Sequence, residues 1–202
     1  GGDVRLEGGM RALPAGAPPS EAAIQLRAQG VATAQGLQQT PSLGFVSQLA
    51  QNATGSAPYS LALSFRRGVP ELQVNTTLQG MALDLPAPLG KTADAQQPLR
   101  YEQMVARESL VPVAAGATPP PLRDQVTLDL GSIGSATYLR DLAGAQPRVL
   151  RGSMGVGLPA GESAPVVAEG VAANIRLGRV DVDAWARLLT QSTSAPGGAA
   201  GG

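Results

Sequence analysis

The sequence predicts a mainly β protein, an antiparallel sheet with two short helices. Three observations carry this. Apolar and polar residues alternate at period two along many stretches, glycine and proline separate those stretches, and a three-to-four spacing appears only in two short places. The longest alternating stretch, Val69 to Lys91, has two phases. Leu72, Val74 and Leu78 alternate with Gln73, Asn75, Thr77 and Gln79, and after Gly80 the apolar set moves by one to Met81, Leu83 and Leu85. Such a slip turns every later side chain to the other face unless a bulge absorbs it, and glycine tolerates a bulge. The stretch is therefore read as two strand segments sharing one apolar surface across a kink at Gly80. Pro86 and Pro88, which cannot donate to a ladder, end it.

In chain order, Asp3 to Met10 is a short strand with Val4 and Leu6 on one face, and Arg11 to Ser20 is a Pro/Ala/Gly loop. Glu21 to Thr33 alternates Ile24, Leu26 and Ala28 with Gln25, Arg27 and Gln29, and Gly36 closes it. Between Pro41 and Gly55, Leu43, Val46 and Leu49 with Ala50 and Ala53 fit a short amphipathic helix capped by Thr40 or Ser42. Tyr59, Leu61, Leu63 and Phe65 form the cleanest strand, joined through Arg66-Arg67-Gly68 to Leu72 and Val74 as a hairpin. Pro98 to Ala106 is a further strand, and Ala114 to Pro121 a loop. Val126, Leu128 and Leu130 share one face of Gln125 to Gly131, which Gly131 and Gly134 break. Arg148 to Leu158 is a glycine-studded strand. Val171, Ala173, Ile175 and Leu177 form one face of Val166 to Leu177, and Asp181 or Asp183 caps a closing helix around Trp185. Ser192 to Gly202 reads as a flexible linker, so the folded unit is placed at 1–190 and the linker at 191–202.

Composition narrows the function. In 202 residues there are 26 glycines, 17 prolines and 3% aromatic residues, against a dense compact core, while the 43% apolar content suffices for one-sided burial. Basic and acidic residues balance at 15 each, which withdraws the electrostatic support for nucleic acid as a partner. Cysteine and histidine are both absent, removing disulfides, thiolate sites and imidazole-based catalysis. The chain is read as a non-enzyme with no cofactor and no metal. No apolar run is long enough to span a bilayer, and no leader pattern opens the sequence, which is read as an interior piece of a longer protein.

The motifs that hint at chemistry have structural readings that fit better. Gly90-Lys91-Thr92 resembles the end of a P-loop, but Leu85 stands where the first glycine belongs and Pro86 and Pro88 remove two amides from the cradle. Lys91, the sole lysine, is read as part of a solvated turn. Arg151 occupies the first place of a would-be G-x-S-x-G elbow at Ser153, leaving a glycine-kinked strand. Asp181 and Asp183 are read as helix caps rather than cation ligands, and Trp185 as a packing anchor.

What can carry function is the apolar surface itself. Two architectures fit the strand pattern: a sheet folded over a filled core, and a sheet curved over an apolar groove. Leu61, Leu63, Phe65, Leu72, Val74, Leu83, Leu85, Val126, Leu128, Leu130, Val171, Ile175 and Leu177 are the candidate groove residues. An acyl chain of roughly 16 carbons at about 0.8 kcal/mol per methylene needs a continuous strip, which scattered contacts would not supply.

The wording L-Q-G-M-A-L-D-L-P-A-P-L-G-K, with Gly55-Ser56-Ala57-Pro58-Tyr59 and Arg66-Arg67-Gly68-Val69-Pro70-Glu71 upstream and Gly178-Arg179-Val180-Asp181-Val182-Asp183-Ala184-Trp185 downstream, resembles the YhdP family of large AsmA-like envelope proteins of Gram-negative bacteria. The likeness runs roughly from Gly1 to Leu189. It implies a strongly curved antiparallel sheet forming an open hydrophobic groove, in a periplasmic protein anchored in the inner membrane outside this segment. The expected partners are phospholipid acyl chains, carried between inner and outer membranes, and outer-membrane components. The alternative is a non-catalytic structural or interaction module of the envelope with a closed β core.

Overall fold

A computed structural model describes residues 4–10, 24–40, 47, 50–111, 116, 118–159, 162–178, 181–184 and 186. The fold is mainly β and the sheet is not closed into a barrel. Its strands are β1 (Val4–Met10), β2 (Ile24–Thr33), β3 (Ala53–Arg66), β4 (Val69–Thr76), β5 (Met81–Leu83), β6 (Leu99–Val105), β7 (Arg123–Asp129), β8 (Gly134–Asp141), β9 (Arg148–Val156) and β10 (Gly170–Ile175). Spatial order follows chain order, β1-β2-β3-β4-β6-β7-β8-β9-β10, with β5 set beside β3. Apart from the contacts of β5 and a short helix with β2 and β3, extensive packing between elements joins sheet neighbours.

The predicted kink is a one-residue bulge. From Tyr59 to Gly55, β3 advances four residues while its partner chain advances five, from Thr76 to Met81. That extra residue returns Met81 and Leu83 to the side of Leu72 and Val74, as the phase slip requires. Leu78 and Gly80 turn with φ of 51° and 94°, and a Cβ on Gly80 would lie 2.4 Å from the Ser56 carbonyl oxygen, so only glycine fits the bulge. The β3–β4 hairpin also forms as expected, with Arg67 and Gly68 both at positive φ, the two-residue turn whose twist matches the strands.

Several expectations are corrected. The sheet is not wholly antiparallel, because β10 runs parallel to β9. The segment between Val156 and Gly170 returns the chain across the sheet, pinned where Ser153 Oγ donates to the Pro165 carbonyl at 2.6 Å, and it is too long for a hairpin. β8 was not expected at all. Ala136 and Tyr138 face one way, but Leu139, opposite them, is also buried, which blurs the period-two signal. β3 begins at Ala53, inside the predicted helix of Pro41 to Gly55, of which Ser47 and Ala50 are helical. The rest of that helix before Ala50 lies outside the described residues.

Helical turns stand where both helices were expected, at Ser47 and Ala50 and at 182–184 and Ala186, and two further helices were not expected. Strand β2 ends at Thr33 as expected, and helix α1 (Ala34–Gln38) follows directly because the Thr33 hydroxyl accepts from the Gly36 amide at 3.1 Å as an N-cap. A 3-10 helix occupies Arg107–Leu110. At the closing helix, Asp181 Oδ1 accepts from the Ala184 amide at 2.9 Å, the capping role read from sequence. Trp185, the linker at 191–202 and the whole loop from Arg11 to Ser20 lie outside the described residues, as does the boundary at 190.

A small core forms where α1 and β5 meet the ends of β2 and β3. Ala34 from α1, Ala53 and Ala57 from β3 and Met81 from β5 are buried together, with Leu37, Leu78 and Leu83 against them. Their side chains are mostly alanine, so backbones approach closely and little volume is enclosed. The core extends the same sheet face that bears the apolar strand residues.

Candidate functional site

Residues paired across neighbouring strands put their side chains on the same face. The register therefore fixes two apolar rows. One runs Leu6, Ala28, Leu61, Val74, Tyr101, Leu128, Ala136, Met154 and Ala173 across the main path of the sheet. The next runs Gly8, Leu26, Leu63, Leu72, Gln103, Val126, Tyr138, Gly152 and Val171. Between them, on the opposite face, lies a polar row that includes Glu7, Arg27, Gln73, Glu102, Thr127, Thr137 and Ser153. The sheet is amphipathic from edge to edge.

Of the candidates, Leu61, Leu63, Leu72, Val74, Val126, Leu128 and Val171 stand in these rows, and Phe65 and Ile175 extend them, opposite Pro70 and Val156. Leu61, Leu63, Leu72, Val74, Val126 and Leu128 are half-buried, while Phe65, Val171 and Ile175 are 38%, 58% and 53% exposed. Leu83 packs against the closed end and Leu85 is buried in the turn beyond β5, apart from the rows. Leu130 follows β7 and Leu177 follows β10. Sequence reasoning missed Tyr138 and Ala136 with the whole of β8. It also missed why Gly152 is glycine: a Cβ there would lie 2.6 Å from the Tyr138 ring, which covers that backbone.

Polar groups interrupt the apolar face near the hairpin end. Asp124, fully buried, is held by Arg140 through two charge-assisted bonds, Nε to Oδ1 at 2.9 Å and Nη2 to Oδ2 at 2.5 Å. That hydrogen bond raises the Arg140 pKa further above its ordinary value. Tyr101, whose hydroxyl donates to Gln103 at 3.2 Å, has its pKa raised by burial, with Arg140 opposing and Asp124 adding to the shift. On the opposite face, the buried Glu71 accepts from Arg66, Ser64 and the Val105 amide.

Lys91 is not in a merely solvated turn. Its ammonium donates to the carbonyls of Leu78, Met81 and Thr92, using all three of its donors to tie the bulge together. Desolvation lowers its pKa, with Asp94 acting the other way. A cavity of about 810 Å³ lies at the α1 end and is lined by Arg5, Gln29, Ser60, Asn75, Arg100 and Asp129 of the polar face, together with Tyr59 and Leu99; none of the groove candidates lines it. Among the described residues no cluster of acidic side chains is placed to hold a metal ion, and no helix is long and apolar enough to cross a membrane.

What this arrangement offers chemically is a wide, mainly apolar surface, interrupted by the Tyr101–Gln103 pair on β6 and by Asp124 and Arg140. Comparison with protein-family models, with curated proteins and with solved structures found no match for the chain.

Proposed function

We propose that the chain is a segment of a periplasmic bridge-like lipid transfer protein, in which the apolar sheet face forms an open hydrophobic groove carrying phospholipids between inner and outer membranes. The single observation that carries this reading is the register: seven of the candidates fall in two rows on one face, with most of the polar strand residues on the other. A filled core would bury such rows. Here the residues buried at this face are chiefly alanines at the α1 end, whereas the leucines of the rows stay partly accessible. The resemblance to AsmA-like envelope proteins adds the lipid class, the two membranes and an anchor outside the segment.

The test places a photo-crosslinking residue at Leu63, Val74 or Leu128 in cells. Lipid adducts at these positions are the expected result, and protein-only adducts at all three would overturn the groove. In parallel, Leu63→Asp is expected to stop lipid transfer with the circular dichroism spectrum intact. Unfolding by that substitution would instead favour the closed-core module.

A further inference from the structure

We propose that the hairpin end of the sheet is the headgroup side of the groove and that it favours anionic phospholipids through Arg67 and Arg107. The inference rests on the lipid-groove reading above and adds an orientation and a substrate preference to it. It comes from how the two ends of the strands treat their cations.

At the α1 end the basic groups Arg5, Arg100, Arg176 and Lys91 are already engaged among the described residues. Arg5 pairs with Glu7 at 3.5 Å, Arg100 with Glu102 at 2.6 Å and Arg176 with Glu162 at 3.0 Å, while Lys91 spends its donors on carbonyls. This end is also where α1 and β5 cover the apolar face. An acyl chain reaching it meets a dry wall.

At the hairpin end Arg67 and Arg107 lack an acidic partner among the described residues, as does Arg151 on the opposite, polar face. Arg67, held at the turn between β3 and β4, donates Nη1 to the neutral carbonyl of Ser109, which leaves its charge uncompensated. That bond brings its guanidinium to the 3-10 helix, whose first residue is Arg107, exposed and without a salt bridge among the described residues. The neighbouring cations Arg66 and Arg123 are neutralised by Glu71 and Glu108. Phe65, the last apolar-face residue of β3 before this turn, is partly exposed, so aliphatic surface runs up to the two free charges. A guanidinium matches phosphate oxygens in geometry and charge, and a lipid with its tails on the rows can set an anionic headgroup here.

The experiment incubates the purified chain with vesicles of equimolar phosphatidylcholine and phosphatidylglycerol, re-isolates the protein and identifies retained lipid by mass spectrometry. Phosphatidylglycerol should be enriched by about fivefold for each uncompensated arginine. Arg107→Gln, which breaks no side-chain hydrogen bond among the described residues, should remove about one such factor. Arg67→Gln with Arg107→Gln should abolish the enrichment with total retained lipid unchanged, and Arg5→Gln at the other end should leave the ratio as it was. Equal retention of both lipids by the unaltered chain, or enrichment surviving in the double variant, would overturn the headgroup assignment and leave the groove standing. Retention of neither lipid would overturn the groove itself.

Discussion

The two ends of this sheet are held by different forces. At the α1 end, Ala34, Ala53, Ala57 and Met81 pack into a small dry cluster, and Lys91 ties down the carbonyls beside it. At the hairpin end the anchors are polar: Asp124 with Arg140, Glu71 with three donors, and Ser109, whose hydroxyl donates to the Pro121 carbonyl and accepts from the Arg123 amide. The difference shows that the two ends of one amphipathic sheet can be fixed by unlike interactions. Its ends supply the fixed points, and the face between them is left to the strand ladder.

That contrast can be broken at either end. The largest effect is expected from Asp124→Ala, which leaves Arg140 without its partner and should cost about 3 kcal/mol in denaturant unfolding. A loss below about 1 kcal/mol would mean that the ion pair is not an anchor. Next, Met81→Ala should cost about 2 kcal/mol because the tight cluster cannot collapse into the void, whereas Leu63→Ala on the half-open face should cost about 1 kcal/mol or less. Equal losses would show that the face is as closed as the α1 end.

The smallest expected effect is on pH. Burial raises the Tyr101 pKa, so as pH rises the unfolded chain gives up that proton before the folded one does. Stability contributed by Tyr101 is therefore present below the ordinary tyrosine pKa and is lost as pH climbs through the folded value. Between about pH 9 and pH 11 the parent protein should lose more stability than Tyr101→Phe. Parallel curves would place Tyr101 in contact with solvent.

Much of the apolar face is legible without coordinates. Leu61, Leu63, Leu72, Val74, Val126 and Leu128 announce their face by alternation, and the slip after Gly80 reports a bulge that the register reproduces to the residue. β8 hides because Leu139 is buried on the side opposite Tyr138, so neither face reads as polar. The roles of Gly152 and Lys91 are equally silent, since each depends on atoms distant in sequence: a tyrosine ring in one case and three carbonyls in the other.

The sequence by itself determined which side chains share a face within each strand, because that follows from the two-residue repeat of an extended backbone. Only the tertiary structure decided how those faces join. Strand order, the parallel return of β10, the closure by α1 and the concentration of uncompensated arginines at one end all depend on pairings between distant segments, which local periodicity does not encode.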